Sequence, residues 1–224
     1  MAETSVADRH THGAARAHQF DDAEQQRDAV TMGMWVFLVT EIMFFGGLFT
    51  AYVVYRTLYP AAFAVASRAL DITLGTLNTA VLLVSSFTMA VAVFGSQTGR
   101  RRLLVGGLAL TIALGIVFLA IKLYEYYQKY VEHHIPGPSF AFPAPYTQSA
   151  KMYFTLYFAM TGLHAAHMIV GCGLLGVLIV MAWRGRFTPE YHSPVELSGL
   201  YWHFVDIIWI FLYPLLYLVG RHLE

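Results

Sequence analysis

Charged residues are scarce in this sequence. Only 12% of the 224 residues are Asp, Glu, Lys or Arg, whereas 57% are hydrophobic. Soluble domains carry about 25% charged residues, so this chain has too few to cover a water-facing surface around one core. The scarcity argues against an ordinary soluble enzyme, and the apolar content excludes disorder over most of the chain. The 14 basic residues balance 14 acidic ones, so no basic excess indicates a nucleic acid partner.

Cysteine is almost absent as well. Cys172 is the only one in the sequence, which excludes an internal disulfide and any metal site built from several cysteines. The sequence also lacks a phosphate-binding glycine loop, a G-x-S-x-G segment and an H-E-x-x-H segment. These absences argue against the common nucleotide-binding, hydrolase and zinc-protease sites.

Long apolar runs are what the sequence has instead. A bilayer core of about 30 Å requires about 20 mostly apolar residues in a helix, and membrane barrels show short alternating segments rather than long runs. The sequence therefore predicts an all-α membrane protein, a bundle of five transmembrane helices (residues 32–221) preceded by a polar, flexible cytoplasmic tail (residues 1–31). The five predicted spans are approximately 32–59, 72–94, 103–127, 152–183 and 197–219.

The basic residues of the loops predict an orientation. Eight arginines lie in the tail and in the loops after the second and fourth spans, whereas five basic residues lie in the remaining loops and at the C-terminus. Because cytoplasmic loops carry the excess of Lys and Arg, we expect a cytoplasmic N-terminus and an external C-terminus.

Ionisable residues inside the predicted spans need a partner, a cavity or a function, because burying them in a membrane is costly. A charged group at the centre of a membrane helix costs about 2.5–3.5 kcal/mol on insertion scales. Glu41 lies near the middle of the first span, where it either holds two helices together or serves a proton or lipid role. His164 and His167 are three residues apart in the fourth span, so they share a face. Hydrogen bonds to Glu41 or to the backbone are favoured over a metal site, since two histidines and one carboxylate are few ligands.

Two further polar groups occur in the third and fifth spans. His203 and Asp206 are three residues apart and are expected to bond to each other within a packed interface that includes Trp202. Lys122 and Glu125 are spaced in the same way, and Lys129 is a second candidate partner for Glu125. We expect this cluster to extend toward the membrane interface.

Glycines inside the spans predict close contacts between helices, because a missing side chain lets two backbones approach. The candidate positions are Gly46-Gly47, Gly106-Gly107 and Gly171-x-Gly173.

Five segments together resemble one known family. The resemblance covers roughly residues 32–220, and the fourth and fifth motifs are the most specific when taken together. The segments are Trp35-V-F-L-V-T-Glu41-I-M-F-Phe45, Leu77-Asn78-Thr79, Phe118-L-x-x-Lys122-x-x-Glu125, Thr161-G-L-His164-A-A-His167 and Trp202-H-F-V-Asp206-I-I-Trp209. In this order they resemble subunit III of the haem–copper oxidases.

The resemblance implies a function that spacing alone does not. Family members are non-catalytic membrane subunits that bind no haem or copper, pack against catalytic subunit I, contact phospholipids and sustain proton uptake in aerobic respiration. Haem and copper then belong to subunits I and II. Glu41 matches the carbodiimide-reactive carboxyl of the family. The resemblance also implies a polar packing or hydrogen-bonding role, without metal, for His164, His167, Trp202, His203, Asp206, Asn78 and Glu125.

Departures from the family leave alternatives open. The long family form has seven helices and this chain has five, as in the short form of many bacterial oxidases of the plasma membrane. Lys122 stands where the family often has glutamine. The complex is therefore expected to be a cytochrome c oxidase, with a quinol oxidase or a nitric oxide reductase accessory subunit as alternatives. A haem-binding protein or an independent proton conductor is the alternative of another class.

Overall fold

The computed structural model describes residues 23–188 and 191–218. Six α-helices and a π-helical turn account for most of them, and the only β pairing in these two ranges is a single bridge between Thr188 and Tyr191. In chain order the elements are α1 (Ala23–Leu58), α2 (Pro60–Arg68), α3 (Ile72–Gln97), α4 (Arg101–Val131), α5 (Thr147–Trp183), α6 (Ser193–Tyr213) and the π-turn (Pro214–Leu218).

The five long apolar helices confirm the predicted all-α membrane bundle. Each of α1, α3, α4, α5 and the α6–π-turn unit is long and apolar enough to cross a membrane. The short helix α2, which begins with Pro60 in its first turn, is not among the predicted elements. Pro60 suits that position because its missing N–H would be unpaired there in any case.

The first helix begins earlier than hydropathy indicates. Residues 23–31, assigned from sequence to the polar tail, form the first turns of α1. Their Ala, Glu, Gln and Arg residues favour helix although they are polar, so a boundary drawn from hydropathy falls too late. Residues 1–22 of the predicted tail lie outside the described residues.

Two of the long helices end in the same way, with a glycine in the left-handed conformation. Gly99 follows α3 with a φ of 67°, and Gly185 follows α5 with a φ of 70°. The next amide bonds back to the helix in both cases, from Arg100 to the Gly95 carbonyl at 2.9 Å and from Arg186 to the Met181 carbonyl at 3.1 Å. This arrangement pairs carbonyls that the end of a helix would otherwise leave free, and it turns the chain directly into the next basic loop.

The two basic loops lie at the same end of the bundle. The Arg101 guanidinium, at the start of α4, donates a hydrogen bond to the Trp183 carbonyl at the end of α5. At the opposite end, Lys129 donates to the Ala69 carbonyl between α2 and α3 at 2.6 Å. The arginines of these two loops are therefore grouped in space as well as in sequence.

Glycine contacts are confirmed at two of the predicted positions and wrong at others. A Cβ on Gly107 would lie 2.9 Å from the backbone nitrogen of Ala92, and one on Gly171 would lie 2.9 Å from the Trp202 ring. Gly46, Gly47, Gly106 and Gly173 have no such neighbour within 4 Å. Helix α1, which carries Gly46 and Gly47, is the peripheral helix of the bundle. Only 17% of its most apolar stretch is buried, against 56% for α6, so its glycines have no helix to approach.

Candidate functional site

Glu41 and His167 face each other across the contact between α1 and α5. Glu41 lies at the middle of the span Glu24–Leu58, and its Oε2 is 3.2 Å from the Nε2 of His167. The distance is short, but the two groups are not aligned as a hydrogen bond, and that carboxylate oxygen has no other partner in the described part of the chain. The positions of the polar residues in the sequence predict a contact between Glu41 and a histidine of the fourth span, and the structure contains it.

The other nitrogen of His167 determines where its proton lies. Nδ1 is 2.9 Å from the carbonyl oxygen of Leu163, and a carbonyl can only accept, so Nδ1 carries a hydrogen. In a neutral ring Nε2 is then unprotonated and faces Glu41 as an acceptor. The contact therefore places a carboxyl beside an imidazole nitrogen near the middle of the first span.

This pair lines a groove formed by α1, α5 and α6. The groove has a volume of about 500 Å³, and apolar side chains such as Phe37 and Leu174 form most of its wall. Tyr201 also lines it and donates a hydrogen bond to the His167 carbonyl at 3.0 Å. A mostly apolar groove with one polar pair is suited to a lipid chain or to a partner helix rather than to a water-soluble ligand.

His164 has different surroundings from His167, although the two are only three residues apart. It is fully buried, with the Phe118 ring at 5.4 Å and the Trp209 ring at 5.2 Å. Among the described residues, neither of its ring nitrogens has a hydrogen-bond partner. The two histidines therefore do not converge on one ligand, and no group of three or more His, Cys, Asp or Glu in the described ranges is placed to hold a metal ion.

The two tryptophans of α6 pack against α3, as the sequence predicts for a packed interface. Both are fully buried. Trp202 donates to the Ser85 hydroxyl at 2.9 Å, and Trp209 donates to the Thr79 hydroxyl at 3.1 Å. These bonds pair the one polar atom of each indole with a hydroxyl of α3, as buried tryptophans usually require.

His203 and Asp206 do not bond to each other, so the predicted pairing is wrong. The Nδ1 of His203 bonds to the Ser86 hydroxyl of α3 at 2.7 Å. Both carboxyl oxygens of Asp206 are buried, and neither has a hydrogen-bond partner within residues 23–188 and 191–218. The i, i+3 spacing brings the two side chains to the same face of α6. The histidine nevertheless bonds to the Ser86 hydroxyl on the neighbouring helix and not to Asp206.

Lys122 and Glu125 are buried, which corrects the prediction that they extend to the interface. Lys122 is 2% exposed and Glu125 is 0% exposed. The ammonium donates to Glu125 at 2.9 Å, to the Tyr157 hydroxyl at 3.1 Å and to the Tyr217 hydroxyl at 3.0 Å. Tyr217 in turn donates to the second oxygen of Glu125 at 2.6 Å. Lys122, Glu125, Tyr157 and Tyr217 are called the Lys122 cluster below.

Lys129 is not part of this cluster, which corrects its predicted pairing with Glu125. Its ammonium donates to Glu132 at 2.5 Å and to the Ala69 carbonyl. The two tyrosine hydroxyls that accept from Lys122 were not predicted from the sequence. They come from α5 and from the π-turn, 35 and 95 residues away from Lys122. Periodicity within one helix contains no signal for such partners.

Asn78 is the third buried group whose polar atoms lack a partner in the part of the chain that the structure describes. It is fully buried on the inner face of α3. One turn earlier on that face, Gly75 allows the Tyr213 and Tyr217 rings to approach so closely that a Cβ would lie 2.8 Å from Tyr213. Asn78, His164 and Asp206 are called the unpaired set below.

Comparison with known proteins places these residues in one family. Residues 15–221 match the model of the family described as "Cytochrome c oxidase subunit III". The chain belongs to this family. Among similar proteins, cytochrome c oxidase subunit 3 of Scyliorhinus canicula is 35% identical over 195 residues, and that of Sus scrofa is 32% identical over 198 residues. Each alignment covers 84% of this chain and 69% of the relative.

Family membership and the five apolar helices agree with each other. As a subunit III, this chain is part of a haem–copper oxidase complex and crosses the membrane several times. The resemblance drawn from the five sequence segments is confirmed. The positions it singled out separate in the structure into a pair at a groove (Glu41 and His167), a packed α3–α6 interface, the Lys122 cluster and the unpaired set.

Proposed function

We propose that this chain is a non-catalytic subunit that stabilises catalytic subunit I of a proton-pumping cytochrome c oxidase and sustains its proton uptake. Haem and copper belong to subunits I and II in this proposal, and this chain binds neither. The observation that supports it is the pair formed by Glu41 and His167, because it places a carboxyl 3.2 Å from an imidazole nitrogen in the middle of a span, on an open groove.

The groove beside this pair is proposed to take a phospholipid chain. Its wall is mostly apolar, with Met34, Phe37 and Val170 among its residues. An acyl chain against this wall would exclude water from Glu41 and His167, so a proton that reaches this pair would exchange slowly with the solvent. In this way lipid retention and proton retention depend on the same site.

We also propose that the chain lies in a bacterial plasma membrane with its N-terminus in the cytoplasm. The support is the positive-inside rule together with the hydrogen bond from Arg101 to Trp183, which joins the two basic loops at one end. Labelling of single cysteines in a Cys172→Ser background tests it. A cysteine at Gln97 is expected to react only from the cytoplasmic side, and one at His133 only from the outside.

Replacement of Glu41 by Gln tests the proton role. The amide keeps the size of the side chain but no longer titrates, so we expect the complex to assemble with its haem content unchanged. A general acid or base of the chemical step would cost about 100-fold or more in rate. We expect the initial oxidase rate to change far less than that, and the activity to decline faster during sustained turnover.

Glu196→Gln is the matched control, because Glu196 bonds to Gln97 and His192 at the end of the bundle rather than at the groove. It should leave both the initial rate and the time course unchanged. A Glu41→Gln complex that lacks this chain would assign Glu41 to structure instead. An unchanged time course would contradict the proton role.

Purification of the tagged chain in mild detergent tests the assignment as a whole. Subunits I and II with oxidase activity are expected to accompany it, with a haem spectrum that belongs to them. The identity of the accompanying subunits distinguishes cytochrome c oxidase from a quinol oxidase or a nitric oxide reductase. A chain that is isolated alone, whether coloured or colourless, would contradict the proposal.

A further inference from the structure

A second groove lies between α3 and α6, and neither Glu41 nor His167 lines it. It has a volume of about 270 Å³, and its polar residues include Ser86, His203 and Asp206. A water molecule occupies about 30 Å³ in the liquid, so the groove has room for several. None of the nine described residues that line it is Lys or Arg. The groove therefore brings together three groups that can exchange protons, without a fixed positive charge among them.

Ser86 occupies the middle position among these three groups. Its hydroxyl bonds to the Nδ1 of His203 at 2.7 Å, and it also lies within interaction distance of the Asp206 carboxyl. Neither oxygen of Asp206 has a fully formed hydrogen bond within the described residues, so the hydroxyl must turn from His203 to bond to Asp206. A hydroxyl can accept one hydrogen bond while it donates another. Ser86 is therefore able to receive a proton from one neighbour and to pass its own proton to the other.

The hydrogen of Ser86 is not used by the backbone, unlike that of the other hydroxyl in the groove. Thr79 donates to the Gly75 carbonyl at 2.9 Å and accepts from Trp209 at 3.1 Å, so its hydroxyl is fully used. Among the described residues, Ser86 forms no such bond to a carbonyl, and its hydroxyl bonds to His203 instead. The Ser86 hydrogen can therefore be donated to either of its two neighbours.

His203 and Asp206 differ in how far they are open to the groove. Asp206 is 4% exposed, and a carboxyl buried in an apolar medium without a counter-charge is neutral rather than ionised. His203 is only partly buried. Within the described ranges it bonds through Nδ1 alone, so Nε2 is available to a water molecule in the groove. The open histidine and the buried carboxyl are thus the two ends of a short chain of groups that passes through Ser86.

We propose that His203, Ser86 and Asp206 form a proton relay, through which the buried Asp206 exchanges its proton with water in the groove. Ionisable residues inside membrane helices often belong to such relays. The relay gives the chain a second proton-exchanging site, on a different pair of helices from Glu41. It involves groups of this chain alone, so it holds or fails independently of the proposed function.

Uptake of one proton requires three transfers. A hydrated proton in the groove binds to the Nε2 of His203 and leaves water behind, and the Nδ1 hydrogen then passes to the Ser86 oxygen. Ser86 gives the hydrogen that it carried before to an ionised oxygen of Asp206. The histidine ends neutral with its hydrogen on Nε2, the serine is again a hydroxyl, and Asp206 is protonated. Release of the proton follows the same transfers in reverse.

Infrared spectroscopy of the full chain in lipid nanodiscs tests the relay. The C=O band of a protonated carboxyl moves to lower wavenumber when deuterium replaces its proton, so transfer into heavy water measures the rate of exchange. Asp206→Asn identifies the Asp206 band by its loss. A group that transfers a proton typically contributes about 100-fold or more to a rate, so Ser86→Ala and His203→Phe are each expected to slow the exchange by about that factor.

Two further variants control for the loss of packing. Ser86→Thr keeps a hydroxyl at the same position and should retain the exchange rate. Ser85→Ala is the matched control, because Ser85 is the neighbouring serine of α3 and its hydroxyl accepts from Trp202 instead. It should leave the exchange of Asp206 unchanged. A variant that fails to fold exposes Asp206 and exchanges faster, so slow exchange cannot result from misfolding.

Three results would overturn the relay. Exchange in folded Ser86→Ala and His203→Phe chains that is as fast as in the unsubstituted chain would show that water reaches Asp206 directly. A carboxyl band that is unchanged in Asp206→Asn would show that Asp206 carries no proton. An Asp206 band that does not shift in heavy water would show that this carboxyl does not exchange. If circular dichroism shows that one of the two variants is unfolded, the other decides the question.

Discussion

The Lys122 cluster and the unpaired set are two ways of burying polar groups in the same bundle. In the cluster, the ammonium has three acceptors, and both oxygens of Glu125 have donors. In the unpaired set, Asn78, His164 and Asp206 are equally buried but have no hydrogen-bond partner within the described ranges. Burial alone therefore does not distinguish a polar group that is hydrogen-bonded within this chain from one that has no partner among the described residues.

The difference lies in which elements meet at each place. The cluster forms where α4, α5 and the π-turn converge, and two tyrosines add hydroxyls to a lysine and a glutamate. The indole of Trp209 also lies 5.2 Å from the ammonium, a distance at which an aromatic ring attracts a cation. A buried ion pair is stable only when further hydrogen bonds satisfy its charged groups, and here this chain itself bonds the ammonium three times and both carboxylate oxygens of Glu125.

Removing the ammonium should have the largest effect. Lys122→Met is expected to lower the free energy of unfolding by about 3–5 kcal/mol, because it leaves the Glu125 carboxylate buried without its counter-charge. Denaturant unfolding in mild detergent measures it. The double variant Lys122→Met with Glu125→Gln should recover most of the lost stability. A loss below about 1 kcal/mol in the single variant would show that Lys122 and Glu125 are not a buried ion pair.

Removing one hydroxyl from the cluster should have an intermediate effect. Tyr217→Phe deletes the group that accepts from Lys122 and donates to Glu125. Hydrogen bonds to charged groups contribute about 1.5–3 kcal/mol, and a loss of that size is expected in the same unfolding assay. Tyr124→Phe is the control, since Tyr124 is 55% exposed on α4; an equal loss in both variants would contradict the assignment.

The unpaired set should respond in the opposite way. His164→Phe replaces an imidazole that has no hydrogen-bond partner in the described structure with a ring of similar size between Phe118 and Trp209. No bond is lost, so the free energy of unfolding is expected to change by less than about 1.5 kcal/mol. A loss as large as that of Lys122→Met would remove the distinction between the two regions, because it would show that His164 is bonded in the membrane.

The smallest effect concerns His134, in the loop after α4. Burial lowers the pKa of His134, and the nearby Glu132 carboxylate opposes that shift only in part. The ring stacks on Phe154 at 5.0 Å and lies near Phe142 at 5.4 Å, with Lys129 on the preceding helix. Since the folded state binds this proton less readily than the unfolded state, its contribution to stability is full above a pH of about 6.5. That contribution is lost as the pH falls through the lower pKa of the folded state.

Unfolding midpoints between pH 7 and pH 5 measure this effect. The decrease in midpoint over that range should be smaller in His134→Phe than in the unsubstituted chain. His133→Asn serves as the control, because His133 has a φ of 57°, a conformation that asparagine tolerates. An unchanged pH dependence in His134→Phe would show that other groups control acid stability.

The helices of this protein can be predicted from its sequence more accurately than the partners of their side chains. Apolar runs predict spans because a bilayer leaves few alternatives to a helix of about 20 residues. The contact of Glu41 with His167 could be predicted from the sequence, because both residues are polar and lie near mid-span. The bond between His203 and Ser86 could not be predicted, because Asp206 is closer to His203 in the sequence and was the more obvious partner.

Composition, the length of the apolar runs and the motifs predict the membrane class, five candidate spans and the family, because none of these depends on how the helices pack. Which polar groups are paired depends on that packing. Lys122 lies beside two tyrosines that come from distant helices, whereas Asp206 lies on an open groove where the nearby Ser86 hydroxyl is bonded to His203. The physical reason is that a hydrogen bond depends on distances of about 3 Å between atoms of different helices, and helix packing alone sets those distances.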